Sequence, residues 1–320
     1  MKAFSFKVLL AFFLIIHLQV CFAQQDVPQS KLVTDPNALN FILIGDWGRN
    51  GADHQKEVAT QIGKTASEAS VDFIIAAGDN FYPKGVVSEY DPLWKYSFED
   101  IYTDFSLQWD WYPVLGNHDY GADPEAQVRY SKISRRWQMP ARYYSKKFNL
   151  QGDTTQQALF IFIDTTPLIK GYYAGDGHHV HDQDSTAQKL WIEKQLATTA
   201  ANVKWKFVIG HHPMYTGGGR TESHDTRAVR RILQPLFEKH KVDAYLAGHE
   251  HSLQHIGPVN TVHHFISGSS SERTPVRILD VSKFAKSEYG FMLFSVNKGK
   301  TIINIIDQRG IVLYKTELLK

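Results

Sequence analysis

A chain of 320 residues with an apolar fraction of 43% can bury a sizeable core, as one large domain or two modest ones. Its formal charge is +2 and its Lys and Arg residues are dispersed, which disfavours nucleic acid and anionic membrane surfaces as partners and leaves small anions open. The single cysteine, Cys21, excludes a disulfide within the chain, so stability must come from packing.

Residues 1–23 read as an export signal: Lys2 and Lys7 flank the start, VLLAFFLII is a brief apolar run, and VCFA ends in the small residues a signal peptidase reads. The run falls short of the roughly 20 apolar residues of a membrane span, so no stable membrane insertion is expected after cleavage. The mature protein is expected to be secreted or periplasmic, and a monomer. After a polar, flexible leader over 24–37, the runs NFILIG, VDFIIAAG, WYPVLG, ALFIFID, WKFVIG and VDAYLAG read as buried strands, each ending in Gly or Asp. Helical spacing occupies residues 53–70, 185–199 and 224–241, the second with Asp184 or Ser185 as cap and Gln188 near the N3 position. This alternation predicts an α/β fold. From Val259 onward, TVHHFISG and YGFMLFSVNKGKTIINIIDQRGIVLYK read as a β-meander with turns at NKGK and QRG, expected to complete or extend a second sheet. No repeat or linker divides the chain, so one domain is expected over 38–320. The stretch 165–184, TTPLIKGYYAGDGHHVHDQD, is too long for an ordinary strand-to-helix connection and is either a functional loop over a site or a mobile excursion.

Ligands of open α/β sheets bind beyond the carboxyl ends of the strands, and there the sequence is rich. GDWG (45–48), GDNFY (78–82), GNHD (116–119), GHHP (210–213) and GHEH (248–251) all follow strand-like runs. One such ending is ordinary turn chemistry; five together, all with metal-capable side chains, point to a shared metal site. Glycine ahead of each donor lets the backbone pass close to an ion, so Asp46, Asp79 and Asn117 can enter one cavity. Asp79 has two oxygens with which to bridge two ions. An extended GHEH puts His249 and His251 on one side, suiting one ligand for each of two metals roughly 3.5–4 Å apart, with His211 adding a nitrogen and Asn117 a neutral oxygen.

Tyr82 is the unusual member. A phenol must lose its proton to bind a metal well, which calls for a hard, strongly Lewis-acidic ion such as ferric iron. The alternative is an aromatic wall, a part Phe81 could equally play. Spacing three residues from Asp79 in one loop favours Tyr82 as a ligand.

These motifs, in this order and with Tyr82 included, resemble the purple acid phosphatases of the calcineurin-like metallophosphoesterase superfamily, over Phe41 to about Gln254. VDAYLAGHEHSLQ and GDNFYPKG are nearest the small, tartrate-resistant type. The resemblance implies a four-layer αββα sandwich of two mixed β-sheets flanked by helices. It also implies Fe(III) held by Asp46, Asp79, Tyr82 and His251, with a divalent Fe, Zn or Mn held by Asp79, Asn117, His211 and His249. A phenolate-to-ferric charge-transfer band colours such proteins.

Two cations neutralise phosphate oxygens and activate a water for in-line attack on phosphorus, so the expected activity is acid hydrolysis of phosphate monoesters, with phosphoproteins or nucleotides as further candidate substrates. His118 is the candidate to stabilise the phosphoryl group or protonate the leaving alcohol. His224 matches, with an insertion, a histidine lining the family's substrate pocket. The family's glutamate before it is missing, since Ser223 precedes His224 and Glu222 stands one residue further back. The loop 167–184 is, by the same resemblance, a candidate regulatory segment. His178, His179 and His181 are read as a solvated His-rich stretch, and Arg220 and Arg273 as surface arginines or phosphate contacts. Asp119 and His212 are read as supports rather than ligands, and Trp47 as flanking substrate or packing. The rival readings are a phosphodiesterase or nucleotidase on the same scaffold and, from another class, a metal-loaded binding protein without turnover.

Overall fold

The structure is a computed structural model that describes residues 31–174, 179–197 and 202–320. The expected export signal and the start of the leader lie outside the described residues, as does His178. Val33 exchanges two hydrogen bonds with the Asn304 side chain (3.4 and 2.8 Å), so the packed chain begins ahead of the first strand.

Strands β1 (Leu39–Ile44), β2 (Phe73–Ala76) and β3 (Asp110–Pro113) run parallel, and β11 (Gly290–Val296), β12 (Lys300–Asp307) and β13 (Val312–Leu319) continue their sheet in the order β13-β12-β11-β1-β2-β3. The second sheet has the order β10-β8-β9-β7-β6-β5-β4. Its members are β4 (Tyr144–Leu150), β5 (Asp153–Phe162), β6 (Val203–Ile209), β7 (Ala244–Ala247), β8 (Leu253–Val259), β9 (Val262–Ser267) and β10 (Ser282–Lys286), with β5, β6, β7 and β9 parallel. The carboxy-terminal meander therefore does not extend one second sheet as expected. Its first strand, β9, joins the sheet of β7 together with β8 and β10, which lie outside the runs read as the meander, and the last three cross over to pair β11 with β1.

The two sheets face each other across an aromatic core. Phe41 stacks between Phe73 and Phe294 in its own sheet (5.3 and 4.7 Å) and meets Phe160 and Phe207 of the other edge-on (5.3 and 6.1 Å), contacts worth about 0.5–1.5 kcal/mol each beyond their burial. Helix α1 (Gln55–Ala69) lays Val58, Ile62, Ala66 and Ala69 on the outside of the first sheet. Helix α2 (Glu125–Tyr130) is short. Helices α3 (Ser185–Ala197) and α4 (His224–Lys239) cover the second sheet, with Ile192, Leu196, Val229, Leu233 and Phe237 against Leu159, Ile161, Val208 and Tyr245. The layering is helix, sheet, sheet, helix, as the resemblance implies.

Asp184 caps α3 by accepting from the N–H groups of Thr186 and Ala187, both at 2.9 Å. Gln188 does not complete a capping box. Its buried amide instead exchanges two hydrogen bonds with the backbone of Asp164, fixing the chain where it enters the long loop. Satisfying buried backbone groups outweighs bonding an exposed N-terminus, because only the former would otherwise stay unpaired. The carboxyl ends of β1, β2 and β3 in one sheet and of β6 and β7 in the other open onto one rim, where the five glycine-led motifs meet.

Candidate metal centre

Each motif turns sharply as it leaves its strand. Asp46, Asp79 and His249 all adopt left-handed backbone (φ 58°, 49° and 69°), which costs on the order of 1 kcal/mol each in a non-glycine residue and is held by the surrounding fold. Two of the glycines are needed for a more specific reason than the sequence suggests: Gly116 and Gly248 leave room for the carboxylate of a neighbouring strand. A Cβ on Gly116 would lie 2.2 Å from Asp79 Oδ1, and one on Gly248 would lie 2.5 Å from Asp46 Oδ2.

One oxygen of each carboxylate is held by backbone. His249 N–H donates to Asp46 Oδ2 and His118 N–H to Asp79 Oδ1, both at 2.8 Å. The other oxygens face the donors. Tyr82 Oη lies 3.1 Å from Asp46 Oδ1, 3.2 Å from Asp79 Oδ2 and 3.3 Å from His251 Nε2, and His251 Nε2 lies 3.4 Å from Asp46 Oδ1. His211 Nε2 lies 3.2 Å from the same Asp79 Oδ2 and 3.1 Å from His249 Nδ1. Two groups of donors thus share Asp79 Oδ2, so a single oxygen, not both, sits in the bridging place. Asn117 Oδ1, in the loop that follows β3, is buried without a hydrogen-bond partner.

This donor set fits two cations. Ligand atoms about 2.0–2.2 Å from one ion stand roughly 3 Å apart, as these do. His211 Nδ1 donates to the carbonyl of Ala77 (2.8 Å), which turns the Nε2 lone pair toward Asp79 and His249, where acceptors face acceptors unless a positive charge lies among them. Burial pushes the His211 pKa down, but the Asp79 and Asp46 carboxylates win and raise it to about 9. Burial likewise pushes Asp79 up, yet His211 and His118 bring it below its usual range. Burial and the two carboxylates drive the Tyr82 phenol well above its ordinary value, with Arg49 opposing. Only a cation placed among Asp46, Asp79 and His251 would invert that field and favour the phenolate. His249 is pushed far down by burial and by His212, and stays neutral as a ligand must be.

The neighbouring aromatics divide as the loop requires. Phe81 and Trp47 are fully buried in a cluster with Trp94, Trp111 and Trp137, and Trp47 Nε1 donates to Asn80 Oδ1 (3.1 Å), so both pack and Tyr82 alone turns to the centre. Asp119 accepts from the N–H groups of Asn80, Phe81 and Gly116 and from Gln127 Nε2, tying the GDNFY and GNHD loops together. His212 lies within reach of the donors, but Thr165 Oγ1 (2.8 Å) and Tyr172 Oη (2.9 Å) occupy its two nitrogens.

His118 stands over Tyr82 with ring centroids 4.6 Å apart, and its Nδ1 donates to the Pro83 carbonyl (2.7 Å), leaving Nε2 for proton exchange. His224 is not brought to the donor cluster. Ser223 takes the N-cap of α4, so His224 starts the helix facing outward, its side chain 61% exposed and beside Gly171 of the long loop. Asp225, the next residue, points inward instead, with Oδ2 3.8 Å from His249 Nε2 and accepting from Tyr172 Oη at 3.3 Å. Asp225 and Tyr172 are neighbours of the centre outside the five motifs, hinted at by the position of Asp225 beside His224 and of Tyr172 in the long loop, while Glu250 stands inside GHEH. Arg220 lies on the rim, its N–H donating to the buried Glu250 (2.7 Å) and its guanidinium 3.4 Å from the His249 carbonyl. Arg273 pairs with Glu288 at the surface. His179 and His181 border a separate cavity with Arg142 and Asp182; among the described residues, the groups able to hold a metal together are those of the centre.

A model of the calcineurin-like phosphoesterase family matches residues 39–253. Purple acid phosphatase 17 of Arabidopsis thaliana is 34% identical over 293 residues, covering 87% of this chain and 83% of that protein. The chain belongs to the purple acid phosphatases. Tartrate-resistant acid phosphatase type 5 of Homo sapiens is 31% identical, with 88% of this chain and 91% of that protein covered. Among solved structures, GAP50, described as the anchor in the inner membrane complex of Plasmodium, superposes with a TM-score of 0.77 at 25% identity over 88% of both chains. The purple acid phosphatase PPD1 from yellow lupin seeds shares the fold, with a TM-score of 0.65 at 16% identity over 88% of this chain and 54% of that one. Two groups of donors, Tyr82 with Asp46 and His251 on one side and His211 with His249 on the other, meet at one oxygen of Asp79, the layout of a dinuclear centre.

Proposed function

We propose that this purple acid phosphatase is an exported enzyme that hydrolyses phosphate monoesters at acidic pH. Fe(III) would be held by Asp46, Asp79, Tyr82 and His251, and a divalent Fe, Zn or Mn by Asp79, Asn117, His211 and His249. The observation that carries the reading is Asp79 Oδ2, approached by Tyr82 Oη and His211 Nε2 from opposite donor groups. The two cations, when bound, supply positive charge to phosphate oxygens and acidify a water.

The chain's own residues do the rest. The backbone N–H groups of His118 and His249 fix the carboxylates, and Ala77 and Asp79 orient His211. His118, its Nδ1–H held by the Pro83 carbonyl, presents Nε2 as the atom that relays a proton to the leaving oxygen. His224, on the rim beside Gly171, meets the leaving group rather than the phosphoryl group. Tyr172 lies against this rim, and the long loop over 167–184 that carries it regulates access, while Lys2 and Lys7 with the following apolar run direct export.

The test is a visible spectrum and p-nitrophenyl phosphate hydrolysis from acid to neutral pH, for the mature chain and Tyr82→Phe. A broad band lost in the variant, with acid-range hydrolysis by the wild type, is expected. A colourless, metal-replete, active protein would turn the reading toward other ions, and faster cleavage of bis(p-nitrophenyl) phosphate toward a diesterase. A second reading, a protein that holds metal and anchors rather than catalyses, draws on the likeness to GAP50, described as an anchor; absence of hydrolysis with both metals bound would favour it.

A further inference from the structure

Arg49 directly follows GDWG, and its Cζ lies 3.7 Å from the centroid of the Tyr82 ring. Its Nε donates to Ser271 Oγ (3.1 Å) and its Nη2 to Glu272 Oε2. Ser271 Oγ in turn donates to the Asp46 carbonyl (2.5 Å), which locks the segment carrying Glu272 to the first metal loop. The same Glu272 Oε2 lies 3.4 Å from His251 Nδ1, a charge contact to a nitrogen that has no hydrogen-bond partner, while His251 Nε2 faces Asp46 and Tyr82. Two members of one donor group are therefore backed by a single ion pair. Glu272 borders a cavity of about 400 Å³ with Asp53, His54 and Tyr289.

We propose that Arg49 and Glu272 are positioning residues for this half of the centre, the guanidinium setting how strongly the Tyr82 ring donates electrons and the carboxylate orienting His251. The inference rests on the ferric-tyrosinate reading above. A cation over an aromatic face attracts the π electrons, so Arg49 holds the donor electrons of Tyr82 at lower energy. A carboxylate beside one imidazole N–H fixes the tautomer and makes the other nitrogen a better ligand. The two effects meet at one ion because Arg49 and Glu272 hold each other.

The experiment is reconstitution of the metal-free full chain with Fe(III), followed by visible spectra and Fe(III) retention against a chelator. The proteins are wild type, Arg49→Met, Arg49→Lys, Glu272→Gln and Tyr82→Phe. Loss of the cation in Arg49→Met moves the band to longer wavelength, whereas Arg49→Lys, which keeps the charge, stays near the wild-type position. Glu272→Gln loses Fe(III) to the chelator roughly 10–100-fold more readily. A band unmoved in Arg49→Met, or unchanged retention in Glu272→Gln, overturns the corresponding half of the proposal. If Arg49→Met does not fold, Arg49→Gln serves as the neutral variant. Bound iron without a band in the wild type, or a band that survives in Tyr82→Phe, sinks the tyrosinate reading and the role of Arg49 with it. The role of Glu272 then stands or falls on the chelator result alone.

Discussion

Strand β9 places His264 beside Tyr245 of β7, on the face that α4 covers. The ring is 2% exposed, sits 5.0 Å from Tyr215, and neither of its nitrogens has a hydrogen-bond partner. Burial, reinforced by His263 and His255, pushes its pKa from 6.5 down to about 3. The unfolded chain therefore takes up a proton at this position well before the fold does, and stability must fall as pH drops below 6.5 toward about 3. At pH ~4.5 the difference spans about two units at roughly 1.4 kcal/mol each, so acidification from pH ~7 withdraws about 3 kcal/mol through this one residue. Replacing the ring by one that cannot titrate removes that loss. Urea unfolding of wild type and His264→Phe at the two pH values measures it: the variant should lose about 3 kcal/mol less on acidification. Contributions from the metal centre cancel in the difference, since His264 lies behind the second sheet and both proteins share the centre. Equal losses in the two proteins would refute the reasoning and would mean that the ring is hydrated or the fold relaxes around its charged form.

Three other predictions concern the centre. Asp119→Asn offers one acceptor oxygen and an opposing NH₂ to four donors, so melting should move down, at about 1–3 kcal/mol for each group left unpaired, and iron retention should fall with it; an unchanged melting temperature would show the loops are held otherwise. His118→Ala should lower kcat for p-nitrophenyl phosphate by about 10²–10⁴-fold at unchanged metal content, measured together by steady-state kinetics and metal analysis, and an unaltered kcat would remove His118 from the proton path. Arg220→Ala removes a rim cation anchored on Glu250 and should reduce kcat/KM for monoesters by roughly 10–100-fold while metal stays bound; equal loss for a neutral-flanked diester would assign it to folding of the rim rather than to the phosphate charge.

The ligands are legible in the sequence because their chemistry is local: glycine, a metal-capable side chain and the end of a buried run stand within a few residues of one another. Which neighbour of a motif faces the centre is not local. Phe81 and Tyr82 are adjacent aromatics of similar size, and what separates them is the Trp47, Trp94 and Trp137 cluster that only the folded chain assembles, with an apolar slot for one ring and buried carboxylates for the other's hydroxyl. His224 and Asp225 divide in the same way, by the phase that Ser223 imposes as cap on α4. Strand pairing is harder still to read. Strands β9 and β11 share one apolar character, yet they lie in different sheets, because pairing is decided by partners such as β1 and β7 that are distant in sequence. The edge strand β4 is hidden for the opposite reason, since most of YSKKFNL faces solvent and carries little apolar signal. Arg49 and Glu272 combine both difficulties. Each is an ordinary surface charge in the sequence, 223 positions from its partner, and acquires a role only when Ser271 ties the two segments across the centre. A motif census therefore recovers the atoms that would touch the metals and misses those that stand behind them, because a supporting residue is defined by what it packs against rather than by what it is.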